Sequence, residues 1–82
     1  HVGFLIDPNV PQERVIAEDL NHKLVARTLR MGGTCSGEHG VGLHKMGFLL
    51  DETGAGAVEV MRSIKRALDP KNIMNPGKIF SL

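Results

Sequence analysis

Apolar residues recur at two different spacings along this chain, and the change of spacing marks its elements. In "HVGFLID", Val2, Phe4 and Ile6 alternate with other residues, the period of two that lines up one face of a strand. One N-terminal strand is therefore predicted, broken by "DPN" from Asp7 to Asn9. From Asn9 onward the spacing lengthens. Ile16, Leu20 and Leu24 stand four apart, and Val25 and Leu29 continue the stripe, which predicts a helix of about 20 residues, ~30 Å long. Asn9 and Gln12 have the spacing of a capping box, and Pro11 is tolerated in a first turn. Gln12, Glu13 and Glu18 sit early while Arg27 and Arg30 sit late, which suits the helix dipole. Gly32 and Gly33 end the helix.

Past these glycines the pattern is less regular. "LHKMGFLL", Leu43 to Leu50, reads as a short helix weakened by Gly47, and "DETGAG" reads as a break. Helical spacing resumes in "AVEVMRSIKRALD", at Val58, Met61, Ile64, Lys65 and Leu68, until Pro70 stops it. Asn75, Pro76 and Gly77 supply a turn, with a candidate short strand after it. The expected fold class is α+β: a mostly helical fragment with one N-terminal strand and about three helices. No internal repeat or low-complexity tract appears.

Composition narrows the function classes. At 82 residues the chain allows one small domain, and 41% hydrophobic with 23% charged residues is ordinary for a globular protein. A net charge of +1, three Phe and no Trp or Tyr argue against nucleic acid as a partner. Cys35 is the single cysteine, so no internal disulfide forms and nothing implies an oxidising compartment. No apolar run approaches the ~20 residues of a membrane span, and no signal-peptide pattern appears. Because the chain opens on His1 inside an apolar stretch, a piece of a longer protein is expected.

The chemistry concentrates in "GGTCSGEHGVG", where five glycines surround Glu38 and His39. A dinucleotide turn needs G-x-G-x-x-G after a strand; here Gly37, Gly40 and Gly42 give G-x-x-G-x-G after a helix. A P-loop ends in Gly-Lys-Ser/Thr, and Gly42 is followed by Leu43 and His44. Both phosphate cradles fail, while a solvated linker and a catalytic or metal site stay open. Among four histidines, His22 is four residues after Glu18, the spacing of a surface pair, and His44 shows no such context. His39, in a constrained loop beside a carboxylate, is the candidate proton acceptor. His1 and Glu38 offer imidazole and carboxylate, ligand types that suit zinc, though two residues 37 positions apart need a third ligand. Cys35 reads as packing. Lys45, Glu59, Arg62, Lys65 and Arg66 read as solvated charge.

Two stretches, "GGTCSGEHGVGLHK" and "VMRSIKRALDPKNIMNPGKIF", closely resemble the C-terminal end of the FAD-linked oxidases that act on D-2-hydroxyacids. That family includes flavin-dependent D-lactate dehydrogenase, the FAD subunit of glycolate oxidase and D-2-hydroxyglutarate dehydrogenase. The resemblance spans nearly the whole chain through two motifs, G-[ST]-x-x-x-E-H-G-[IV]-G and L-D-P-x-x-[IL]-[LM]-N-P-G-K. It implies that residues 1–82 are the C-terminal part of the substrate (cap) domain of a two-domain flavoenzyme, with the FAD-binding domain outside them. By the same resemblance, His1 and Glu38 are ligands of a divalent metal, zinc, His39 is the substrate-side base, and Asn75 is a cofactor contact. His1 would correspond to the last histidine of an H-x-G-D-G-N-L-H segment that supplies the third ligand upstream.

The implied reaction is FAD-dependent oxidation of a D-2-hydroxyacid to the 2-oxoacid, with electrons passed to an acceptor. Gly3 stands where some relatives carry a polar substrate-binding residue, which favours a lactate- or glycolate-type substrate over 2-hydroxyglutarate. The isolated chain is expected to be inactive and to self-associate through uncovered apolar surface. The alternative function is a non-catalytic assembly or dimerisation module. The expected location is cytoplasmic or peripheral to a membrane, mitochondrial in a eukaryote, and not secreted.

Overall fold

A computed structural model describes all 82 residues. It contains two helices, α1 (Pro11–Arg30) and α2 (Met46–Leu68), and no strand, so the chain is all-α. The expected α+β class, with an N-terminal strand and about three helices, is corrected on both counts. A strand exists only where its backbone N–H and C=O groups meet those of a second strand. Residues 1–7 have the right period, yet none of the 82 residues forms a strand for them to pair with. The same lack of a ladder partner removes the candidate strand after Gly77. The helices predicted on either side of "DETGAG" form a single element, α2, kinked at Gly54, whose φ of 84° and ψ of 163° are not helical.

The chain divides into two compact units, His1–Gly33 and Thr34–Leu82. In the first, the extended N-terminal segment runs beside α1. Phe4, Leu5 and Ile6 line a shallow apolar groove with Ile16, Ala17 and Leu20, though Leu5 itself stays fully exposed. The segment thus faces a helix instead of a sheet neighbour, and the predicted face of Val2, Phe4 and Ile6 does not form, since Val2 stays exposed outside the groove. The N-cap of α1 is Val10, with no side-chain cap, so the predicted capping box is not formed. Asp7 instead shapes the turn before the helix: its side chain accepts from the Asn9 N–H at 2.9 Å, its carbonyl accepts from the Val10 N–H at 3.0 Å, and its own N–H donates to Glu13.

At its other end α1 closes in a Schellman arrangement. The Gly33 N–H donates to the Thr28 carbonyl at 2.9 Å and the Gly32 N–H to the Leu29 carbonyl at 3.1 Å. Gly32 has φ of 80°, the left-handed region that this cap requires and side chains disfavour. On the outer surface Glu18 pairs with Arg14 at 3.4 Å, while His22 lies exposed on the same helix.

In the second unit, α2 is the hub. Val58, Cys35 and Asp69 are its buried residues, a core too small to cover the helix. Val60, Ile64 and Leu68, four apart, remain exposed. The helix ends where the Asp69 N–H bonds the Lys65 carbonyl at 2.8 Å and Pro70 forbids a further turn.

Candidate active site

The Glu38–His39 pair sits at the corner of a tight turn. The Gly40 N–H closes it onto the Gly37 carbonyl at 3.0 Å, leaving Glu38 and His39 as the two central residues. Gly40 has φ of 76°, so the exit from the turn demands a residue without a Cβ penalty. The two side chains meet at 3.4 Å, His39 Nε2 to Glu38 Oε1, and both are largely exposed, at 74% and 67%. An imidazole and a carboxylate therefore project together from one turn toward solvent, accessible to a small ligand. A Cβ added at Gly37, Gly40 or Gly42 would stand in open space.

The loop that carries them is fixed at both ends. At its start the Cys35 N–H and the Thr34 hydroxyl both donate to Glu52 Oε2 of α2, at 2.9 and 3.1 Å. These bonds, the Cys35 N–H first, hold the Glu52 carboxyl below its ordinary value. The Cys35 thiol is buried beneath the loop; desolvation first, then the neighbouring Glu52 carboxylate, pushes it up to about 11. That is the environment of a packed thiol and not of a nucleophile, as the sequence reading held. At the far end of the loop the Gly42 carbonyl accepts from the Ile79 N–H at 2.8 Å.

This last bond connects the loop to the N-P-G-K turn. Asn75 has φ of 48° and Gly77 φ of 72°, and with Asn72, Lys78 and Phe80 they line a pocket of about 170 Å³. Asp69 holds this turn in shape. Its Oδ1 accepts from the Ile73 N–H at 3.1 Å and its Oδ2 from the Met74 N–H at 2.9 Å, while Lys65 donates to both Asp69 and the Met74 carbonyl. Lys65 is therefore no solvated charge. The role of Asp69 and the anchoring role of Glu52 went unread in the sequence. The signal for the first was available: Lys65 and Asp69 are spaced i,i+4, and Asp69 directly precedes the proline that ends the helix. For Glu52, 17 residues from Cys35, the sequence offers no such signal. Elsewhere on α2 the solvated-charge reading holds for Glu59 and Arg66, bonded to each other at 2.9 Å, and fails for Arg62, which is half-buried, bonds Glu59 at 3.2 Å and donates its Nε–H to the Ser81 carbonyl.

Of the four candidate site residues, Glu38, His39 and Asn75 lie in the second unit and His1 in the first. Within the second unit, hydrogen bonds join the Glu38–His39 loop to the segment that carries Asn75. The chain belongs to the family of FAD linked oxidases, C-terminal domain, which matches residues 1–79. Its relatives are oxidoreductases. It is 49% identical, over 98% of its length, to the D-lactate dehydrogenase [cytochrome], mitochondrial, of Arabidopsis thaliana. It is 45% identical over 98% of its length to a D-2-hydroxyglutarate dehydrogenase of Xanthomonas citri pv. viticola. It is 35% identical over 95% of its length to the glycolate oxidase subunit GlcD of Escherichia coli K12. The chain spans 14%, 17% and 16% of the lengths of these three proteins.

Proposed function

We propose that the chain supplies the acid–base side of an FAD-dependent enzyme oxidising a D-2-hydroxyacid to the 2-oxoacid. The observation that carries this reading is the exposed Glu38–His39 pair at the corner of a turn tied down on both sides, in a chain of the FAD linked oxidase family. The named relatives act on lactate, glycolate and 2-hydroxyglutarate, which share an α-hydroxycarboxylate. Gly3 brings no polar side chain for a second carboxylate, so the substrate is of the lactate or glycolate type.

Oxidation of the α-carbon removes a hydride from carbon and a proton from the hydroxyl oxygen. His39 takes that proton on its imidazole ring, which the turn presents beside Glu38 on the exposed surface. Glu38 and His1 offer the oxygen and nitrogen donors that a zinc-type divalent ion accepts. A divalent ion held by such donors would supply positive charge for the substrate carboxylate and hydroxyl. FAD, when bound, supplies the two-electron acceptor, and Asn75 is its contact from this chain. Electrons leave to a further acceptor, which the name of the Arabidopsis relative gives as a cytochrome. In a eukaryotic source the parent protein is mitochondrial, as that relative is; no helix of this chain is long and apolar enough to cross a membrane.

The test is rapid-mixing flavin reduction in the full-length His39→Ala protein. Reduction by D-lactate or glycolate is expected to slow by about 10²–10⁴-fold, with flavin content unchanged. Reduction at the wild-type rate would sink the assignment of His39.

A further inference from the structure

We propose that Glu52 is the positioning residue of the Glu38–His39 loop: its carboxylate, reaching across from α2, sets where that loop begins. This rests on the functional reading above for its catalytic consequence, though not for its structural one. Two donors from consecutive residues, the Cys35 N–H and the Thr34 hydroxyl, converge on one oxygen, Glu52 Oε2, at 2.9 and 3.1 Å. The Ser36 N–H in turn donates to the Thr34 hydroxyl at 3.4 Å, so the tie extends into the loop. Glu52 can serve two donors at once because an ionised carboxylate is an acceptor only, with spare lone pairs on each oxygen.

The location on α2 matters as much as the chemistry. Glu52 lies two residues before the kink at Gly54, on the segment of α2 nearest the loop in sequence. Its partner Cys35 is one of the few buried residues of this unit, and Cys35 opens the stretch that ends at the Gly42–Ile79 bond. Removing the Glu52 anchor releases the start of the approach to Glu38 and His39, three and four residues beyond Cys35. Because a catalytic base works only within narrow limits of distance and angle, a small displacement of that approach is expressed as lost rate.

Length and charge of the side chain are separable. Gln at this position keeps the reach and an acceptor oxygen but loses the charge; Asp keeps the charge and falls one methylene short. In the full-length parent protein, Glu52→Gln should leave amide hydrogen exchange of residues 34–42 near wild type, and kcat for flavin reduction within about threefold. Glu52→Asp and Glu52→Ala should both accelerate exchange over 34–42, with α1 unaffected, and lower kcat about 10–100-fold with a smaller change in KM. Wild-type exchange in the Asp and Ala proteins, or a Gln protein that behaves as Ala does, overturns the anchor. If the wild-type protein does not oxidise 2-hydroxyacids, the functional reading fails while the exchange pattern still decides the anchor.

Discussion

Cys35 gives the sharpest quantitative test of how the loop is built. Its thiol is buried, with 8% of its surface exposed, beside the Glu52 carboxylate. Desolvation disfavours the thiolate, and the adjacent negative charge disfavours it further, so the group is pushed from 9.0 up to about 11. Each tenfold step in acidity changes the thiolate fraction tenfold at a pH below both values, so Cys35 should hold about a hundredfold less thiolate at pH 7.5 than an ordinary cysteine. Alkylation follows the thiolate. The experiment is iodoacetamide labelling of Cys35, followed by mass spectrometry of the peptide that contains it, from pH 7 to pH 11.5. The rate should rise steadily to a midpoint near 11, and at pH 7.5 fall at least about a hundredfold below a free thiol. Glu52→Gln removes the charge and should lower the midpoint, leaving the desolvation in place. Because folding raises this group, its contribution to stability is complete below pH 9.0 and is lost as the pH climbs toward about 11. A midpoint at or below the ordinary value, or rapid labelling at neutral pH, would refute both the burial and the Glu52 contact.

Two further outcomes follow from the ends of the helices. Gly32→Ala forces a side chain into φ of 80° and should cost about 1–2 kcal/mol in the melting of α1 followed by circular dichroism. Gly33→Ala should cost about 1–3 kcal/mol, because a Cβ there would lie 2.6 Å from Thr28 Cγ2 and 3.0 Å from the Thr28 carbonyl oxygen. Thr28→Ser, which deletes that methyl, should recover part of the second loss and none of the first; equal rescue of both would discredit the clash. Lys65 first, and then the Met74 and Ile73 amides, hold Asp69 below the ordinary carboxylate range. Its hold on the N-P-G-K turn is therefore complete above about pH 4 and is lost as the pH falls through the lowered value. Exchange protection of the Ile73 and Met74 amides, measured from pH 5 to pH 2, should fall in that window and be missing at every pH in Asp69→Ala. Protection that ignores pH would exclude the carboxylate as the acceptor.

Much of this protein was legible in its residues because the signals are local. The four-residue spacing of Ile16, Leu20 and Leu24, Pro11 at the start and Gly32–Gly33 at the end fix α1 within a few residues, since each acts on its own turn of backbone. The order of Gly37, Gly40 and Gly42 sufficed to exclude a phosphate cradle, and "EHG" was enough to single out Glu38 and His39. The failures were of another kind. Residues 1–7 carry the alternation of a strand, but a strand is a relation between two segments, and no period within one segment reports whether the other exists. "DETGAG" contains the glycine that breaks helical geometry, yet how far a helix continues through such a kink depends on what holds the two halves.

What only tertiary structure decided is the second half of each hydrogen bond. Glu52 and Asp69 look like ordinary acids of a helix surface and its end. They become the anchors of the two loops only when folding brings the Cys35, Ile73 and Met74 amides to them. The sequence alone determined which groups could do chemistry, because reactivity belongs to residue type. Folding decided which groups hold them still, because a donor and its acceptor need only be close in space.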